Sequence, residues 1–178
     1  MNSSNIGKVI AVLVDMEHAG IVRKFAIGGA FAAVLHNEPI STIDLDIFFL
    51  LTKQSESPIL SLSEIYEYAK THRFEFDHEF INIYGWLVQF VEASHNALWK
   101  EAIEAATTIR IETFDVPVIT PEYLVAMWLF SGRAKDFQKI TLFLDAGLLD
   151  TEELTNILKR HDLLIKWNKE KWRFTDEN

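Results

Sequence analysis

The sequence contains no cysteine, and this absence excludes several kinds of chemistry. Disulfide bonds, thiolate zinc sites and cysteine nucleophiles cannot form in this chain. Glycine and proline are also scarce, with 7 and 4 in 178 residues, so the few that occur are informative about turns and helix ends. The six histidines show no H-E-x-x-H or similar spacing of a zinc site, so we expect a metal site in this protein to be built from oxygen ligands.

The sequence also has few basic residues and no long apolar run. The 17 Lys and Arg residues face 26 Asp and Glu, a net charge of −9, which argues against a broad basic face for nucleic acid. No apolar run reaches the roughly 20 residues that span a membrane. The apolar stretch Val9–Val14 is followed at once by Asp15 and Glu17, unlike a signal peptide. We therefore expect a cytoplasmic protein with no membrane partner.

The patterning of apolar residues predicts an α+β protein. Residues 1–119 read as a mixed β-sheet flanked by helices, and residues 120–178 as a helical segment packed on that core as one unit. Predicted strands are 24–27, 44–51, 74–83 with a bend near Asp77, 86–91, 108–113 and 116–119. Predicted helices are 5–17, 30–35, one from Ser61 or Ser63 to 70, 97–106, 121–130, 134–144, 151–160 and 162–172. The nearly continuous apolar run 44–51 is typical of a central strand covered on both faces.

Two aspartates lie within this central strand. Asp44 and Asp46 are two residues apart, so their side chains point to the same face, with about 6.5–7 Å between their Cα atoms. Two carboxylates in apolar surroundings repel each other and lose hydration, unless a cation or basic groups compensate them. Mg²⁺ prefers such oxygen ligands. The alternative interpretation is that both residues cap the exposed start of the strand.

A Gly28-Gly29 pair stands between a predicted strand and a predicted helix. Glycine permits positive φ and lets backbone N–H groups approach a ligand closely. The N-terminus of the following helix would add a partial positive charge that favours phosphate. The alternative is a tight turn without a ligand.

Together these elements resemble the nucleotidyltransferase superfamily of the polymerase-beta type. The matching residues are Ile27-Gly28-Gly29, then a fourteen-residue spacer, then Ile43-Asp44-Leu45-Asp46-Ile47. Thr42 fits the Thr-x-Asp-x-Asp form of many bacterial members. The later motifs Pro121-Glu122-Tyr123-Leu124 and Arg133-Ala134-Lys135-Asp136 resemble minimal nucleotidyltransferases and AbiEii-type toxin relatives.

The resemblance implies transfer of a nucleoside monophosphate from an NTP to a hydroxyl group, with Mg²⁺ or Mn²⁺ as cofactor. Asp44 and Asp46 would be the catalytic metal ligands. Gly28, Gly29 and Thr42 would contact the nucleotide, and Arg133 or Lys135 would neutralise its phosphate tail. The acceptor stays open between RNA such as tRNA, a protein and a small molecule, and a toxin–antitoxin-like role with a partner protein is consistent with the likeness.

The sequence departs from the family at one position. Members carry a third carboxylate on a later strand, whereas the corresponding strand 86–91 carries Gln89. Gln89 or Glu92 could serve as a further metal ligand, although alternation places Glu92 on the opposite face. Asp77 and Glu79 are other candidates. The second hypothesis is therefore a non-catalytic nucleotide-binding or interaction module on the same fold.

Overall fold

The structure is a computed structural model that describes residues 5–36, 42, 44–51 and 62–174. The predicted helix cap Ser61 and the motif residue Ile43 lie outside the described residues. The strands are β1 Val22–Ile27, β2 Asp44–Leu51, β3 Glu75–Asp77, β4 Phe80–Ile83, β5 Trp86–Glu92, β6 Thr107–Ile111 and β7 Phe114–Val118. The α-helices in the described ranges are α1 Ile6–His18, α2 Gly29–Leu35, α3 Ser63–Thr71, α4 Ala97–Glu104, α5 Pro121–Ser131, α6 Ala134–Asp145, α7 Thr151–Arg160 and α8 Leu164–Glu170.

These strands form one mixed sheet in the order β3-β4-β5-β2-β1-β7-β6. The central strand β2 pairs antiparallel with β1 and parallel with β5. The α+β class, the mixed sheet and the helical C-terminal segment predicted from the sequence are confirmed. Within the described residues, no helix has the length and apolarity needed to cross a membrane.

The two faces of β2 differ, and this difference creates the site. Leu45, Ile47 and Phe49 are buried in the hydrophobic core, whereas Asp44 and Asp46 on the alternate face are only partly covered. Strand β2 is central as predicted, but one of its faces is open rather than covered. The strict alternation of strand side chains fixes this arrangement, because a slip of one residue would bury both carboxylates in the core.

Positive backbone φ angles explain where the observed elements differ from the predicted ones. The predicted strand 74–83 is a hairpin of β3 and β4, and its turn contains His78 at φ 55°. Glu112, at φ 53°, turns β6 into the antiparallel strand β7. The last predicted helix began at Asp162, but this residue has φ 57°, so α8 begins two residues later. Non-glycine residues adopt this conformation in turns, not within helices or strands.

A polar cluster ties three helices together beside the sheet. Glu101 on α4 accepts hydrogen bonds from Tyr123 of α5 at 2.6 Å and from Arg160 of α7 at 2.9 Å. His161 lies 2.8 Å from the other Glu101 oxygen. Burial raises the pKa of Glu101, but the hydrogen bonds from Tyr123 and Arg160 outweigh burial and lower this pKa below its ordinary value. The charged carboxylate therefore stabilises the packing of the helical segment on the core.

Replacing this carboxylate should lower the stability of the fold. We expect Glu101→Gln to reduce the free energy of unfolding at pH 7 by about 1–2 kcal/mol, because charge-assisted hydrogen bonds are lost. A depressed carboxyl pKa stabilises the fold above the pKa of the unfolded chain, and this stability is lost as pH falls through the folded-state pKa. The difference between wild type and variant should therefore shrink below about pH 4.

Urea denaturation at several pH values measures both effects. Glu104→Gln is the matched control on the same helix, because the half-exposed Glu104 carboxylate lies 3.7 Å from Arg23 and should change stability by less than about 0.5 kcal/mol. Equal effects of the two substitutions would contradict a special role for Glu101.

Candidate active site

A pocket of about 690 Å³ opens on the uncovered face of β2. Strands β2 and β5 form its floor, and helices α5 and α6 supply the opposite wall. Most of the site residues predicted from the sequence lie in its lining. The charged and polar side chains that line it are Thr42, Asp44, Asp46, Gln89, Ser131, Arg133, Lys135 and Lys139.

Asp44 and Asp46 project from β2 into this pocket, as the alternation predicted. The hydroxyl of the buried Thr42 donates a hydrogen bond to the Asp44 carboxylate and lies 3.2 Å from the Asp44 carbonyl oxygen. Thr42 thus fixes the orientation of one carboxylate. A direct contact of Thr42 with a nucleotide stays a prediction.

The electrostatics of Asp46 reflect the crowding of charge on this strand. Burial, and then the neighbouring Asp44, raise the pKa of Asp46 above its ordinary value. Lys139, Arg133 and Lys135 act in the opposite direction and lower the pKa of Asp46. Because the net shift is upward, these cations compensate the carboxylate only in part. The pair of aspartates therefore favours a further cation.

Gly28 and Gly29 pack directly against the carboxylate strand. The Gly28 N–H donates to the Asp46 carbonyl oxygen at 2.9 Å, and a Cβ on Gly28 would come within 2.5 Å of the Phe48 ring. Gly29 has φ 60°, and a Cβ there would lie 1.7 Å from Asp46 Oδ2. Both glycines are thus required by close packing, and Gly29 also lines the pocket. Contact of this turn with phosphate stays a prediction.

The cationic wall comes from a turn between two C-terminal helices. Gly132, at φ 69°, ends α5, and Arg133 is the N-cap residue of α6. Arg133 and Lys135 reach the pocket as expected from the sequence, and Lys139 joins them. The Lys139 ammonium also lies 5.3 Å from the centre of the Trp128 ring.

Sequence reasoning missed Lys139, and it gave Asp136 no role beyond its place in the motif, although Asp136 contacts both Arg133 and Lys139. The spacing of Arg133, Asp136 and Lys139 does indicate that they contact one another, since residues three apart share one face of a helix. The sequence does not show that this face meets the carboxylate strand.

Gln89 takes the position expected for a third carboxylate. It pairs in register with Asp46 across the parallel strands and lines the pocket.

Glu92 points away from the pocket, so its position does not support the expectation that it is a metal ligand. Its carboxylate accepts hydrogen bonds from the Ser94 N–H at 2.5 Å and lies 2.9 Å from His95. Burial raises the pKa of Glu92, but the bonds from His95 and Ser94 lower it overall.

The donor set of the pocket fits a hard divalent cation. Asp77 and Glu79 are exposed at the β3–β4 hairpin and do not line the pocket. Across the residues that the structure describes, no three acidic or histidine side chains are grouped to hold a metal. Mg²⁺ is commonly bound by one or two carboxylates together with water and substrate phosphates. Asp44 and Asp46, with the Gln89 amide oxygen, match that smaller ligand set.

Comparison with known proteins supports the fold. The structure is similar to the crystal structure of an antigenic nucleotidyltransferase-like protein from Paracoccidioides brasiliensis, with a TM-score of 0.50 and 17% sequence identity. The match covers 97% of this chain and 93% of the other. No protein-family model and no curated protein matches the sequence. The chain therefore has a nucleotidyltransferase-like fold, and at this identity the likeness concerns the fold alone.

The contact between Gly29 and Asp46 predicts a clear difference between two glycine substitutions. Gly29 and Gly147 have nearly the same φ, 60° and 64°, but a Cβ on Gly147 would meet nothing within 4 Å. We expect Gly147→Ala to cost about 1 kcal/mol for the left-handed backbone alone. Gly29→Ala should cost about 1–3 kcal/mol more, because its methyl group displaces the carboxylate. Urea denaturation measures both, and equal costs would contradict the close packing.

Proposed function

We propose that this protein is a metal-dependent nucleotidyltransferase, which moves a nucleoside monophosphate from an NTP to a hydroxyl acceptor. The observation that carries the proposal is the shared pocket of Asp44 and Asp46 with three cationic side chains on a nucleotidyltransferase-like fold. Paired carboxylates and facing cations are the groups needed to bind a divalent ion together with a triphosphate.

Each group of residues has a distinct task in this proposal. Asp44 and Asp46 hold the divalent ion, with Thr42 orienting Asp44. When bound, Mg²⁺ or Mn²⁺ supplies charge neutralisation and in-line alignment for phosphoryl transfer. Arg133, Lys135 and Lys139, which line the pocket, offset the negative charge of the triphosphate. The Gly28–Gly29 turn lies directly against Asp46, which would bring its backbone close to a nucleotide bound at the carboxylates.

The remaining wall of the pocket is apolar and aromatic, which suits a nucleobase. Phe48 and Trp99 meet edge to face with ring centres 5.8 Å apart, and both line the pocket. Aromatic faces stack on bases with little sequence preference, so this wall supports nucleotide binding without selecting one NTP. The acceptor stays open between RNA such as tRNA, a protein hydroxyl and a small molecule. The net charge of −9 favours a small or transient acceptor over a long polyanion.

The second candidate function is nucleotide binding without catalysis. Gln89 favours it, because an amide oxygen can ligate a metal but cannot accept the proton of an attacking hydroxyl at neutral pH. This protein would then be a non-catalytic nucleotide-binding or interaction module on the same fold.

The repulsion between the two aspartates predicts that removing one charge stabilises the protein in EDTA. We expect Asp46→Asn to raise the melting temperature by about 2–4 °C at pH 7, which corresponds to about 1 kcal/mol for a chain of this length. This increase in melting temperature should disappear at a pH low enough to protonate the Asp46 carboxyl in both the folded and the unfolded wild-type chain. Millimolar Mg²⁺ should raise the melting temperature of the wild type and leave the variant unchanged. An equal Mg²⁺ response in both proteins would contradict a metal site at Asp46.

A transfer assay separates the two candidate functions. The protein is incubated with Mg²⁺, labelled NTPs and mixed tRNA, protein or small-molecule acceptors. We expect labelled product that falls at least about 100-fold in Asp44→Asn and Asp46→Asn, since metal ligands contribute several kcal/mol to such reactions. Asp115→Asn is the control, because this exposed carboxylate pairs with Arg110 outside the pocket.

The outcomes of this assay are distinct. Mg²⁺-dependent NTP binding without product would favour the non-catalytic module. Absence of both binding and product in the wild type would contradict both candidate functions.

A further inference from the structure

Asp136, on helix α6, is a buried charge that the proposed function leaves without a task. Among the residues that the structure describes, it is the one ionisable side chain that is fully buried, with 0% of its surface exposed. It does not line the pocket. A buried carboxylate destabilises the fold strongly unless it is paired and hydrogen-bonded, so its partners explain its presence.

Two of the three pocket cations are those partners. Arg133 Nε donates to one Asp136 oxygen at 2.6 Å, and Arg133 Nη2 lies 3.3 Å from the other. The guanidinium thus approaches the carboxylate with two donors, which restricts its orientation. Lys139 Nζ lies 3.5 Å from the same second oxygen.

Lys139 is fixed from a second side. Its ammonium lies 5.3 Å from the centre of the Trp128 ring, and Trp128 packs edge to face on Phe143 with ring centres 5.3 Å apart. Only 18% of the Lys139 side chain is exposed, compared with 59% for Arg133. A lysine between a buried carboxylate and a buried indole ring has few conformations left. Both cations are therefore held in the wall that faces Asp46.

We propose that Asp136 is a positioning residue, which holds Arg133 and Lys139 in the pocket wall where they bind the triphosphate. The inference rests on the proposed function, because it assigns the phosphate tail of the nucleotide to this wall. Asp136 acts through the two cations and does not itself touch the substrate. Its contribution is preorganisation, since cations already held in place lose less conformational freedom on binding.

Two other roles make different predictions. Asp136 lies in the first turn of α6, where an acidic side chain stabilises the helix N-terminus. That structural role predicts lower stability with unchanged affinity for the anion. A purely electrostatic role predicts tighter binding when the negative charge is removed, because Asp136 offsets the cations. The positioning role alone predicts that neutralising Asp136 weakens anion binding.

Calorimetric titration of the folded full chain with inorganic triphosphate and Mg²⁺ decides between these roles. The titration is made well below the melting temperature of each variant. We expect Asp136→Asn to raise the Kd about 10-fold, and Asp136→Glu to give an intermediate Kd, because charge remains while geometry changes. Asp145→Asn, on the exposed face of the same helix, should leave the Kd unchanged.

The titration distinguishes an incorrect role for Asp136 from an incorrect proposed function. Wild-type protein that does not bind triphosphate overturns both. Wild-type binding that Asp136→Asn leaves unchanged or tightens overturns the positioning role alone. If Asp136→Asn does not fold, Arg133→Lys replaces it, since a lysine keeps the charge but not the two-donor contact. A Kd for Arg133→Lys equal to that of the wild type then overturns the inference.

Discussion

The repulsion between Asp44 and Asp46 on the central strand is the constraint on which the rest of the site depends. Strand β2 is held by β1 on one side and β5 on the other, and its alternate side chains are buried in the core. The strand therefore cannot rotate or slip to move the two carboxylates into solvent. Their charge must be compensated where they stand, by cations from the protein and, in the proposed function, by a divalent metal ion.

The protein's own compensation comes from a helix that is distant in the sequence. The left-handed Gly132 ends α5, and α6 begins two residues later at the wall of the pocket, so Arg133 and Lys139 face the aspartates. Asp136 in turn fixes those two cations. The helical segment is thus part of the site, and the sheet alone would carry uncompensated carboxylates.

The sequence predicts the features that depend on local pattern. The apolar run of β2, its two aspartates and the Gly28–Gly29 turn each have a signature within a few residues, and the structure places them together as expected. The role of Asp136 has no such signature. Three charged residues at a spacing of three are equally typical of a solvated helix face. Only tertiary packing, in which α6 lies against α5 at the pocket wall, makes this carboxylate a buried partner of two pocket cations.

For the glycine pair and for Gln89, too, the sequence pattern and the three-dimensional packing give different information. The sequence motif indicates a phosphate-binding turn. The structure shows that packing alone already requires glycine at position 29, since Asp46 Oδ2 occupies the space that a Cβ of Gly29 would need. Gln89 lies beside Asp46 in the parallel register, where a third carboxylate would add repulsion to an already desolvated pair. An amide keeps an oxygen ligand there without that cost, but it gives up a proton acceptor. In the proposed function, binding of a metal–nucleotide complex would therefore not require the group that removes the acceptor proton, and nucleotide binding could persist in this fold without catalysis.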